Sequence, residues 1–317
     1  MHKEFRAKIY KSGKRRFECK LEASDEIVQA VSMREVLKKN HPVVGDNVRL
    51  MLNESGDEIQ YEIHEVIERE NEVYRRIVRE NKKKVIASNV DCLLIVTSIS
   101  SPPYKPYLID RYLLRAIEWE IPAIVIFNKM DEFDDQFDPE FERARFESLG
   151  ARSFFVSSTK PETCPDFNEL KDLIQNRVTI TLGQSGVGKS KLINALSSGK
   201  AKLVSGDLAK GVNKGAHTTT WAEMVDCGDF LIVDSPGIRS LSLQDFDQNE
   251  LHLYFPDLID VMESCQFKDC RHEENSKGCA FNELDEDKFE NRIILDRLYS
   301  YKKIRAEVEA IPEWKKG

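Results

Sequence analysis

A chain of 317 residues with 41% apolar and 32% charged side chains is too apolar to stay disordered and long enough for two or three packed domains. Its formal charge of -8 excludes a protein that coats itself in nucleic acid by charge alone. No run of eighteen apolar residues exists and the first twenty residues lack the apolar stretch of a secretory signal, so the expectation is a cytoplasmic protein with no membrane partner.

The front of the chain differs from the rest. Residues 1–90 hold 19 Lys and Arg against 16 Asp and Glu, a net of +3, whereas the remainder holds 28 against 39, a net of -11. Only the front is suited to phosphate backbones, and only weakly. Within the first 75 residues the runs "EFRAKIYK", "RRFECKLE", "DNVRLMLN" and "DEIQYEIHEVIE" alternate apolar and polar positions between glycine-containing turns, the signature of a small β-barrel or sandwich. The polar, basic segment Asn71–Lys84 reads as a solvated linker.

From Asn89 the pattern changes to apolar runs of strand length, "VDCLLIVTSI", "IPAIVIF", "RSFFVSS", "RVTITLG" and "DFLIVDS". Amphipathic segments such as "YLIDRYLLRAIEWE" and "PDFNELKDLIQNR" lie between them, which predicts an α/β domain with a mostly parallel sheet. Beyond Leu251 the chain reads as helical around a Cys/His cluster.

The ends of those strands carry the chemistry. Asn128-Lys129-Met130-Asp131 follows "IPAIVIF", and the Asp131 carboxylate can accept from the N1–H and exocyclic amine of guanine, donors that adenine lacks there. Lys129 would pack its stem along the base, and Ser157-Ser158-Thr159 would close the pocket from the other side. Gly183-x4-Gly188-Lys189-Ser190 lies between the strand Val178–Leu182 and a helical segment, the setting of a phosphate-cradling loop. Gly183, Gly186 and Gly188 let N–H groups turn toward phosphates, Lys189 would reach the β and γ phosphates, and Ser190 would ligate Mg²⁺. Gln184, Ser185, Val187 and Lys191 are counted with that loop. Asp234-Ser235-Pro236-Gly237 completes the set: Asp234 would hold Mg²⁺ through water and Gly237 would offer its N–H to the γ-phosphate. GTP, rather than ATP, is the expected ligand.

The motif order is 128–131, 157–159, 183–190, 218–220, 234–237, so the domain is circularly permuted: "PDFNELKDLIQNR", which would end an ordinary domain of this kind, runs directly into "VTITLG", which would begin it. The chain therefore leaves the D-x-x-G motif straight into the C-terminal region. After Gly237 stands Ile238, which cannot orient water as a glutamine does; the nearest candidate for that task is His217, beside Thr218–Thr220. Farther on, Cys265-x4-Cys270-x-His272-x6-Cys279 offers three thiolates and an imidazole, a set suited to one closed, structural Zn²⁺ site.

The whole assembly resembles the RsgA (YjeQ) family of bacterial small ribosomal subunit biogenesis GTPases. The resemblance rests on "GD" at 45–46, "RENEVYRR" at 69–76, "NKMD" at 128–131, "GQSGVGKS" at 183–190, "HTTT" at 217–220, "DSPGIRS" at 234–240 and "CQFKDCRHEENSKGCA" at 265–280. It implies an N-terminal OB-fold β-barrel on residues 1–75, an α/β circularly permuted P-loop GTPase domain on 76–245, and a helical zinc-binding domain on 246–317. It also implies contact with the 30S ribosomal subunit and 16S rRNA, a late role in small-subunit assembly, and GTP hydrolysis that releases the factor. Under this reading His217 positions water, and Ser190 with a threonine at Thr218 or Thr219 ligates Mg²⁺. A rival reading is a GTP/GDP-gated RNA-binding switch with incidental hydrolysis; a monomer is the simplest expectation.

Overall fold

The computed structural model describes residues 3–55, 58–77, 82–201, 222–234, 243–244 and 246–312. Five strands, β1 (Glu4–Ser12), β2 (Arg16–Leu21), β3 (Ile27–Ser32), β4 (Asn47–Ser55) and β5 (Glu58–Val66), form the N-terminal barrel, with helix α1 (Arg34–Lys39) between β3 and β4. Alternation turns Ala7 and Ile9, Phe17 and Cys19, Val28 and Ala30, and Val48 and Leu50 to one side of their strands, and these side chains fill the interior. The order β1-β2-β3-β5-β4 closes because β4 also pairs with β1, which leaves no free edge within the barrel.

A register shift between Ile9 and Lys11 bends β1 as a bulge does. Its last residues then leave β4 and pair with β12 (Ala222–Asp226), Lys11 opposite Glu223 and Ser12 opposite Ala222, so barrel and α/β sheet are hydrogen-bonded into one array.

The segment expected to be a linker is instead mostly a hairpin, β6 (Glu72–Ile77) against β7 (Lys82–Ser88). Val73, Tyr74 and Ala87 are buried in the same core as the α/β sheet, and their apolar contribution outweighs the cationic composition that suggested a solvated connector. The fully buried Asp46 anchors this hairpin to the barrel. Arg69 donates to both its oxygens at 2.7 and 3.0 Å, Ser88 Oγ donates at 2.6 Å, and Val43 N at 2.8 Å. Gly45, at φ +91°, lets that turn press against β7, since a Cβ there would lie 2.1 Å from the Ser88 carbonyl oxygen.

The α/β sheet has the order β10-β9-β8-β11-β13-β12, from strands β8 (Cys92–Ser98), β9 (Ala123–Asn128), β10 (Arg152–Phe155), β11 (Val178–Leu182) and β13 (Leu231–Asp234). All pair in parallel except β12 with β13. Helices α2 (Pro106–Glu118) and α3 (Pro139–Glu147) cover the face carrying Leu93, Ile95, Val125 and Phe127; α4 (Asp166–Ile174) and α5 (Lys189–Leu196) cover the face carrying Leu94, Val96, Ile124 and Ile126. Burial on both faces explains why these strands read as unbroken apolar runs. The chain winds outward through β8, β9 and β10, then returns to place β11 beside β8. That switch of direction opens a crevice at the carboxyl ends of β8 and β11, where α/β sheets bind ligands.

The C-terminal region holds α6 (Ile259–Glu263) and the long α7 (Phe289–Glu309), joined by the Cys/His loop. Its core includes Leu251, Phe255, Leu258, Phe281, Leu298 and Ile304 together with Leu114 of α2, so it packs against the α/β domain. Beneath lies a buried ionic chain. Asp110 of α2 is bonded by both Arg145 of α3 and Arg297 of α7, and Arg297 reaches on to Asp257 at 2.7 and 3.0 Å. No helix among the described residues is long and apolar enough to cross a membrane.

Candidate guanine-nucleotide site and metal centre

The base loop, the 157–159 loop and the phosphate loop meet through one amide. Asn128, fully buried at the end of β9, donates from Nδ2 to the Val187 carbonyl at 2.9 Å, while its Oδ1 accepts from Ser158 N at 3.0 Å. One side chain thus ties the two other loops to β9. Gly188, at φ +93°, is required beside it, because a Cβ would lie 2.5 Å from Nδ2.

Lys129 occupies the left-handed region at φ +69°, a conformation that costs energy for a non-glycine residue and recurs at functional turns. Its ammonium is hydrogen-bonded to the Ser101 carbonyl, in the turn after β8. Asp131 stands exposed at the rim. Ser157 Oγ donates to its Oδ1 at 2.6 Å and Thr159 Oγ1 to its Oδ2 at 2.9 Å, and the Ser157 hydroxyl is the main reason its carboxyl titrates below the ordinary value. An ionised acceptor is what the two donors on the guanine edge require.

The phosphate loop follows β11 and runs into α5, whose positive N-terminal end faces the crevice. The Lys189 ammonium turns back onto the carbonyls of Gly183 and Gln184 at 2.7 and 2.8 Å, across the mouth of the loop. Gln184, Ser185, Gly186 and Lys191 are exposed, Ser190 half-buried, and the Val187 side chain belongs to the core, so it offers only its backbone. Asp234 ends β13, half-buried. His217, Thr218, Thr219 and Gly237 lie outside the described residues.

Two contributors were not singled out in the sequence. Thr159, expected only as a wall of the pocket, bonds Asp131 directly. The turn "SISSPP" after β8 supplies the carbonyl that holds Lys129, and its Ser100 hydroxyl donates to Glu132. A Ser/Pro-rich turn at the carboxyl end of an apolar strand was the available signal.

Cys265, Cys270, His272 and Cys279 form a second cluster whose ligand atoms all lie within 4.8 Å of one another. Thiolates around a tetrahedral Zn²⁺ stand about 3.8 Å apart given bonds of about 2.3 Å, and His272 Nδ1 lies 3.5 Å from Cys265 Sγ and 3.8 Å from Cys279 Sγ. The donor set therefore fits a metal ion with little adjustment. Burial pushes the Cys265 thiol up to about 11 and holds His272 below its ordinary value. A bound divalent cation would reverse the first and use the neutral imidazole favoured by the second.

Comparison with known proteins gives consistent results. Residues 66–244 match the family model described as RsgA GTPase. The small ribosomal subunit biogenesis GTPase RsgA of Flavobacterium psychrophilum is 33% identical over 273 residues, covering 84% of this chain and 81% of that protein. Among solved structures, YjeQ from Thermotoga maritima aligns with a TM-score of 0.70 at 23% identity over 98% of this chain and 100% of its own. YloQ, described as a circularly permuted GTPase, aligns at 0.67 and 24% identity over 97% and 96%.

Proposed function

This chain belongs to the RsgA GTPase family and is a GTP hydrolase, and on that premise we propose that it binds the maturing 30S subunit, checks or assists late assembly, and leaves after hydrolysis. The observation that carries the nucleotide part is Asn128, whose one side chain joins the guanine-reading loop to the phosphate loop. The name of the relative from Flavobacterium psychrophilum supports the ribosomal part.

In this reading Asp131 selects guanine, Lys129 lines the base, and the 183–190 loop with Lys189 holds the phosphates. Mg²⁺, held by Ser190 and a threonine at 218 or 219, would neutralise charge on the β and γ phosphates. His217 orients the attacking water in place of the glutamine that Ile238 cannot supply, and Asp234 and Gly237 respond to the γ-phosphate. Residues 1–75 and 246–317 meet 16S rRNA on either side of the 76–245 GTPase segment, the latter with a structural Zn²⁺ on Cys265, Cys270, His272 and Cys279. We place the protein in the cytoplasm as a monomer.

Sedimentation with purified 30S subunits tests the ribosomal part. Retention with a non-hydrolysable GTP analogue and release with GDP is expected; equal retention with both nucleotides, or none with either, contradicts it.

A further inference from the structure

Asp131 is held by two hydroxyls, one on each carboxylate oxygen. Ser157 Oγ donates to Oδ1 at 2.6 Å and Thr159 Oγ1 to Oδ2 at 2.9 Å. The Ser157 oxygen is itself fixed, since it accepts from Thr159 N at 3.3 Å and Lys160 N at 3.1 Å, leaving its single proton for the carboxylate. Thr159 Oγ1 lies 3.0 Å from Ser157 Oγ, so the two hydroxyls and the carboxylate close a compact ring at the end of β10.

The geometry points to Thr159 as a positioning residue for base selection. It fixes the plane of the Asp131 carboxylate so that both oxygens can accept from a base at once. A carboxylate has about four acceptor sites. The hydroxyls take one on each oxygen and leave one on each, matching the adjacent N1–H and 2-amino donors of a guanine edge. Ser157 alone would leave the carboxylate free to turn about its last torsion, which is intrinsically broad. A second attachment removes that freedom before the ligand arrives and so lowers the ordering cost of binding. The ligand class favoured is the 2-amino-6-oxopurine nucleotides over 6-oxopurines without the amine, which use one acceptor and gain little from a fixed plane. The inference rests on Asp131 being the guanine acceptor.

The test is equilibrium binding of GDP, IDP and ADP, with Mg²⁺, to the full chain as wild type, Thr159→Val and Thr159→Ser. Thr159→Val is expected to weaken GDP by roughly three- to tenfold, as for one lost hydrogen bond, and IDP by less, so that the GDP-over-IDP preference narrows. Thr159→Ser keeps the donor and restores the preference. Equal losses for GDP and IDP, tighter GDP binding by Thr159→Val, or a Thr159→Ser variant as weak as Thr159→Val would overturn the role of Thr159 while leaving Asp131 its part. A wild-type chain that fails to prefer GDP over ADP would overturn both.

Discussion

Asp46 shows how one side chain can join two parts of the chain. It is fully buried and accepts from Arg69, Ser88 and Val43, which belong to the stretch before β6, to the end of β7 and to the turn before β4. The Arg69 side chain is only 6% exposed, and without the Asp46 carboxylate it keeps only Glu72, at 2.7 Å, as a carboxylate partner. Asp46→Asn should therefore cost about 1.5–3 kcal/mol, the range for hydrogen bonds to a charged group. Denaturant unfolding of the two proteins measures this, and a loss below about 1 kcal/mol would mean that the pair is exposed in solution. The motif "GD" at 45–46 was legible as a family marker, but its partner was not, because nothing in residues 45–46 names Arg69 or Ser88.

Single elements carry the link between the base loop and the C-terminal region. Tyr104 packs edge-on against Phe127, one residue before Asn128, and its hydroxyl donates to Glu142 of α3 at 2.6 Å. Burial pushes the Glu142 carboxyl from 4.5 up to about 7, against the lowering influence of Arg145 and the Tyr104 hydroxyl, with Asp296 and Asp110 adding to the rise. Because its folded value is raised, the folded chain holds a proton that the unfolded chain has already released. This contribution to stability is present at low pH and is lost as pH rises from about 4.5 through about 7. Glu142→Gln keeps the neutral form throughout, so it should lose less stability than wild type between pH 5 and pH 8. Parallel pH profiles of the unfolding midpoint would contradict that.

Legibility also varied by element. Strands buried on both faces, β8, β9 and β11, announced themselves as apolar runs, and the loops after β9 and β11 as motifs. Strand β12 did not, since only Ala222 and Met224 of its five residues are buried. The β6–β7 hairpin was hidden by Arg75, Arg76 and Lys82–Lys84, which outnumber the buried Val73, Tyr74 and Ala87. The Asp110–Arg145–Arg297 chain joins residues 35 and 187 positions apart, a distance over which periodicity carries no information.

At the scale of the whole molecule, both flanking units pack on the α/β domain. The barrel pairs with β12, which begins two residues after Thr220, and Lys11 bonds Glu223 there at 3.3 Å. The C-terminal region packs on α2 and α3 through Leu114, Asp110 and Arg145, and Arg111 meets Glu307 of α7 at 2.8 Å. Order in that region should depend on metal. Chelation under reducing conditions is expected to raise hydrogen exchange across residues 265–284 and to release one zinc per chain; unchanged exchange with no metal released would show that the four ligands hold nothing.

A factor that leaves the 30S subunit only after hydrolysis should turn over in answer to that subunit. GTP hydrolysis by the purified chain alone, with 30S subunits and with 50S subunits, ATP serving as the control nucleotide, checks this. Slow turnover alone, strong stimulation by 30S only, and neither with ATP are expected. Turnover that stays flat and slow whichever subunit is added would contradict it, and would leave a nucleotide-gated RNA-binding switch in which hydrolysis is incidental.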